Sequence, residues 1–178
     1  DDAVNYGSIG AVIGHEITHG FDDKGSRFDA AGNFTNWWTD EDRAEFETRA
    51  AVLVEQFNAF EPLDGLTVNG ELTLGENIAD LGGATVAFHA LGHVLDETGR
   101  NEVAGLTPEQ RFFLAFARSW RSTETEEYVR LRVQTDPHSP SEFRCNGTVV
   151  NMPEFAEAFN LDDDAPLAHP PEARAKIW

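Results

Sequence analysis

The chain has 178 residues, 40% apolar and 25% charged, the composition of a globular domain able to bury a core. Its 32 acidic side chains face only 13 lysines and arginines, a formal charge of -19 that argues against nucleic acid or an anionic membrane as partner. The one cysteine, Cys145, excludes a disulfide within the segment, and no run reaches the roughly 18 apolar residues of a bilayer span.

No internal repeat or Ser/Gly linker divides the chain, so residues 1–178 are expected to form one domain. The opening DDAVNYG has neither the basic nor the apolar region of a signal peptide. Residues 8–21, with Ile9, Val12, Ile13 and Ile17 at helical spacing, predict a first helix. DDKGSRFDAAGNF is turn-rich, and Ala31-Gly32-Asn33 could close a short hairpin. From Thr39, an N-cap followed by three acids, a long helix is expected to run to about residue 60. Pro62 to Gly70 breaks the pattern and holds at most a short strand. A second long helix fits residues 74–97, where Gly82-Gly83 implies close packing against a neighbour.

Thr107-Pro108-Glu109-Gln110 combines an N-cap, a proline at the first helical position and a capping-box glutamine, opening a helix to about Trp120. Further helices are expected after Thr123 and after Asn151. The fold class is therefore mainly α with a few short strands.

Chemistry concentrates first in GHEITHGFD. His15 and His19, four apart on a helix, lie about 40° apart around it and roughly 6 Å apart along it. Two imidazoles so placed can share one zinc, while Glu16 points to the adjacent face and can reach a metal-bound water. A catalytic zinc takes a third protein ligand, and no third histidine follows in HGFDDKGSRF. Glu76 in ENIAD is the alternative, with Asp80 one turn on able to hold the free ring nitrogen of a ligand histidine. His89 and His93 repeat the four-residue spacing, but no glutamate follows His89, and they read as packed or surface residues. Asn33-Phe-Thr35 and Asn146-Gly-Thr148 match the short glycosylation pattern, and Asp162–Asp164 reads as a solvated turn.

NYGSIGAVIGHEITHGFDD, Trp37-Trp38, LGENIADLGG, FFLAFARSW, DPHSPSEFR and NMPEFAEAF occur in order, with Trp178 last. Together they resemble the neprilysin and endothelin-converting-enzyme family of zinc metallopeptidases across the whole chain. The resemblance implies the C-terminal part of a zincin, thermolysin-like catalytic domain. It implies one Zn2+ per chain held by His15, His19 and Glu76, with Glu16 as general base and Asp80 supporting a ligand histidine. His138 would stabilise an oxyanion and Arg144 would bind substrate. The implied activity is hydrolysis of oligopeptides before hydrophobic residues. The family's helical N-terminal lobe and its upstream Asn-Ala-aromatic motif have no counterpart here. The chain is thus expected to expose apolar surface that the missing lobe covers, and the alternative is an incomplete, non-catalytic zinc-binding or self-associating fragment. Extracellular relatives carry cysteine beside the tryptophan matching Trp120, whereas Ser119 and Arg121 flank it here. That favours a bacterial-type, cytoplasmic member, with an extracytoplasmic location left open.

Overall fold

In the computed structural model, which describes residues 1–178, the chain begins with one continuous helical stretch of changing pitch. It comprises α1 (Asp2–Asn5), a π-helical turn (Tyr6–Gly10), α2 (Ala11–Thr18) and a 3₁₀ turn (His19–Phe21). The expected hairpin comes next as a single antiparallel bridge between Phe28 and Phe34, turned by the Asp29 carboxylate accepting from the backbone of Ala31 and Asn33. Further bridges join Leu63 to Leu66 and Val103 to Leu106, and these three are the whole strand content.

Helix α3 (Asp40–Asn58) starts where its sequence says it should, with the Thr39 hydroxyl accepting from Asp42 N at 3.1 Å. Phe46, Ala50, Leu53 and Phe57 recur every three or four residues and are its buried face. Each fully buried large apolar side chain contributes roughly 1.5–3 kcal/mol. Helix α4 (Leu74–Thr98) runs through the centre and is buried continuously from Asn77 to Ala84. It is long and apolar enough by composition to cross a bilayer, yet 56% of its most apolar window is buried inside the protein. Packing against neighbouring elements accounts for that composition.

Helix α5 (Pro108–Ser119) carries the full capping box, Thr107 and Gln110 each bonding the other's backbone. Its Phe112 and Phe113 pack on Phe88 of α4 at ring separations of 5.1 and 5.3 Å. Helix α6 (Glu126–Thr135) is capped by Thr125. The next helix, α7 (Ser141–Val149), has no clear signal in the sequence, and α8 (Pro153–Phe159) comes after it. Ile177 and Trp178 return the chain end to its beginning. Trp178 lies 5.6 Å from Phe46, 6.0 Å from Trp38 and 6.3 Å from Phe21, ring to ring.

Helices α2 and α4 meet backbone to backbone: a Cβ on Gly83 would lie 2.4 Å from His15 N, and one on Gly14 would lie 2.8 Å from Gly83 Cα. The predicted close packing at Gly82-Gly83 is therefore real, and α2 is its partner. The outer face of the first helical stretch is apolar and uncovered, with Ile9, Ile13 and Ile17 at 58, 55 and 63% exposure.

Candidate metal centre

The glycine contact brings the first turn of α4 beneath His15 of α2 and His19 of the 3₁₀ turn that follows. The rings of His15 and His19 stand edge to face with centroids 4.5 Å apart. His15 Nε2 lies 3.3 Å from Glu76 Oε2, and His19 Nε2 lies 3.5 Å from Glu76 Oε1. The ligand atoms of the three residues all fall within 4.8 Å of one another. Ligands about 2.0–2.1 Å from a tetrahedral ion stand roughly 3.3–3.4 Å apart, so these side chains fit zinc with little adjustment.

The rings are also oriented for it. His15 Nδ1 bonds Asp80 Oδ1 at 2.8 Å and His19 Nδ1 bonds Asp22 Oδ2 at 2.7 Å. Donation from Nδ1 to a carboxylate leaves each Nε2 lone pair aimed at the shared point. The field is strongly negative. Burial disfavours the His15 imidazolium, but its hydrogen bonds with Asp80 and Glu76 outweigh burial and raise its pKa to about 9. Burial works the opposite way on Glu76, whose carboxyl is nonetheless held below its ordinary range by the His15 hydrogen bond and the charges around it. A field that favours an imidazolium also favours a dication.

Beside this centre is a cleft of about 230 Å³ lined by Glu16, Val12, Phe116, Trp120, His138 and Arg144 among others. Glu16 is exposed on α2. His138 Nε2 lies 3.1 Å from Glu76 Oε2, and its Nδ1 bonds Asp136 Oδ1 at 2.7 Å. Arg144 of α7 places Nε and Nη2 on the two Asp80 oxygens, both at 2.7 Å, with Nη2 3.4 Å from Glu76. Its guanidinium carbon sits 4.1 Å from the Trp120 ring centroid. All seven residues singled out from sequence are thus gathered at one place, from α2, the 3₁₀ turn after it, α4, α7 and the loop before α7.

Residues 1–175 match the sequence profile of peptidase family M13. The chain belongs to peptidase family M13. Neprilysin-1 of Caenorhabditis elegans is 45% identical over 183 residues, covering 99% of this chain and 24% of the relative. Endothelin-converting enzyme 1 of Homo sapiens is 41% identical over 179 residues, covering 99% of this chain and 23% of the relative. Among solved structures, the Mycobacterium tuberculosis zinc metalloprotease Zmp1 bound to an inhibitor is similar at a TM-score of 0.97 and 46% identity. That match covers 100% of this chain and 28% of the other. The M13 chain therefore has the zincin-type, mainly α fold expected of it, and it spans about a quarter of the length of its curated relatives.

Three residues of this M13 site went unassigned from sequence. Asp22 is 4% exposed, and besides His19 it accepts from Lys24 N and Gly25 N at 2.8 and 2.7 Å. Its position three after His19 was the available signal. Asp136, two residues before His138, fixes that ring and also pairs with Arg132 Nε at 3.2 Å. Asn77 receives the Ser139 hydroxyl at 2.9 Å, tying the His138 loop to α4 beside Glu76. The other histidine pair stays apart from the centre. His89 and His93 are both exposed, and His89 Nε2 lies 3.4 Å from Glu154 Oε1. Asn33 is exposed in the hairpin, Asn146 lies within α7, and Asp162–Asp164 is an exposed turn.

Proposed function

We propose that this M13 chain carries the catalytic centre of a zinc-dependent endopeptidase that hydrolyses oligopeptides before hydrophobic residues. The observation that carries the reading is the convergence of His15, His19 and Glu76 on one point, each ring held from behind by a carboxylate. Bound there, zinc would polarise the scissile carbonyl and acidify water. Glu16, free of that ligand set and open to the cleft, would take the proton of the attacking water and return it to the leaving amine. His138, whose Nδ1–H donates to Asp136, would as an imidazolium offer its Nε2–H to the developing oxyanion. Arg144, clamped through Nε and Nη2, keeps Nη1 outside those bonds to hold a substrate carbonyl. Val12, Phe116 and Trp120 give the residue after the scissile bond an apolar place to rest.

Glu16→Gln should keep zinc stoichiometric while lowering kcat by about 100-fold or more, because one positioned base is worth about 10²–10⁴ in rate. Metal analysis beside a fluorogenic peptide assay reads both, and an active variant would overturn the mechanism. A second reading, zinc binding without turnover by this chain alone, is supported by the exposed Ile9, Ile13 and Ile17, neighbours of the centre on the same helical stretch. Assaying this chain beside a form extended upstream separates them: cleavage only by the longer form favours the second.

A further inference from the structure

The cleft beside the metal centre is not uniformly apolar. Ser8 and Ser119 also line it, from the π-helical turn and the end of α5. Each hydroxyl has already spent its hydrogen on its own helix. Ser8 Oγ donates to Val4 O at 2.7 Å, and Ser119 Oγ donates to Ala115 O at 3.1 Å. A hydroxyl so engaged has only lone pairs left to offer, so either serine can serve the cleft only as an acceptor. The π-helical turn that carries Ser8 is itself a rare conformation that recurs at functional sites.

Opposite chemistry lines the same space. Phe116 and the Trp120 indole, the latter stacked under Arg144, give aromatic surface, and Ala11 and Val12 add aliphatic surface. Flat apolar walls favour a ring, and acceptors favour a donor on that ring. We propose that Ser8 and Ser119 set the side-chain preference of this cleft, selecting a substrate residue that carries a polar hydrogen on an aromatic ring, tyrosine before phenylalanine. The inference rests on the peptidase reading of the site and sharpens its hydrophobic preference. A phenylalanine ring would cover the serine oxygens without replacing the water they lose, whereas a tyrosine O–H replaces it.

The test uses full-length protein and peptides that differ only at the residue after the scissile bond: tyrosine, phenylalanine or O-methyltyrosine. One neutral hydrogen bond corresponds to about a three- to tenfold preference. The tyrosine peptide should therefore exceed the phenylalanine peptide by that factor in kcat/KM, with O-methyltyrosine no better than phenylalanine. Replacing both serines (Ser8→Ala with Ser119→Ala) should bring the tyrosine-to-phenylalanine ratio close to one. A ratio within one preparation is insensitive to partial unfolding. Equal turnover of the two peptides, or a ratio that survives the double substitution, overturns the proposal. Should none of the peptides be cleaved, the hydrolytic reading fails. The cleft preference is then decided by their dissociation constants for the Glu16→Gln variant, where a three- to tenfold tighter tyrosine peptide supports it and equal affinity overturns it.

Discussion

Asp22 does for His19 what Asp80 does for His15, but it is held by backbone amides where Asp80 is held by Arg144. Its three hydrogen bonds, to one ring and two backbone amides, hold the carboxylate in a single orientation. Removing such a support generally lowers metal affinity 10- to 100-fold. Asp22→Ala is therefore expected to weaken zinc binding by about that factor, read by competition with a fluorescent chelator, with Asp22→Asn closer to the parent. Cys145 presents the opposite case, a reactive residue type made inert. Burial, with the Asp80 charge adding to it, pushes its thiol from 9.0 up to about 11. The thiolate is the nucleophile, so a raised pKa means less of it, about 100-fold less at neutral pH. Iodoacetamide labelling at pH 8, followed by mass spectrometry, should be about 100-fold slower than for an ordinary thiol and rise about tenfold per pH unit until the pKa is reached. Fast, pH-independent labelling would contradict the burial.

At the scale of elements, the α2–α4 contact decides whether there is a metal centre at all. Gly83→Ala would drive a methyl into the backbone of His15 and Ala11, which lie 2.4 and 2.7 Å from the added carbon. Overpacking of this kind costs about 1–3 kcal/mol, and more where backbone is what must yield. The variant should melt several degrees lower and also lose zinc affinity, because α2 can only move by carrying both histidines away from Glu76. A destabilised variant with unchanged zinc affinity would show that α2 and α4 shift together. Much of this architecture is legible in the chain itself. The capping box at Thr107 and Gln110, the N-cap at Thr39 and the glycine pair on α4 are local signals, and local forces honour them. Helix α7 is not legible, because Pro140 caps it without a side-chain hydrogen bond and Gly147, Thr148 and Val149 are weak helix formers that tertiary burial stabilises. The site divides in the same way. His15 and His19 follow from spacing on one helix, and the family resemblance carried His138 and Arg144. Asp22, Asp136 and Asn77 emerged only when folding set their partners beside them.

The whole molecule is an acidic body in which six of its 13 lysines and arginines stand in ion pairs, Arg49 and Arg130 with glutamates one turn away on their own helices. Arg144 serves Asp80, Arg132 serves Glu124 and Asp136, Arg100 serves Asp96 and Glu109, and Arg111 reaches Asp1. With 32 acids against 13 bases, unmatched carboxylates must dominate the surface field. Salt screens such repulsion within about 10 Å at 0.1 M. Raising sodium chloride from about 10 to 200 mM should therefore raise the melting temperature by a few degrees in differential scanning fluorimetry. A decrease would mean that the ion pairs outweigh the repulsion.

The backbone contact between Gly14 and Gly83 has one more consequence. Helices that meet through interlocking side chains can part slightly when those side chains change rotamer; bare main chain offers no such adjustment. The backbones that carry the histidine pair and Glu76 are consequently fixed against each other. Whatever adjustment an incoming ion needs is thereby left to the side-chain torsions of His15, His19 and Glu76.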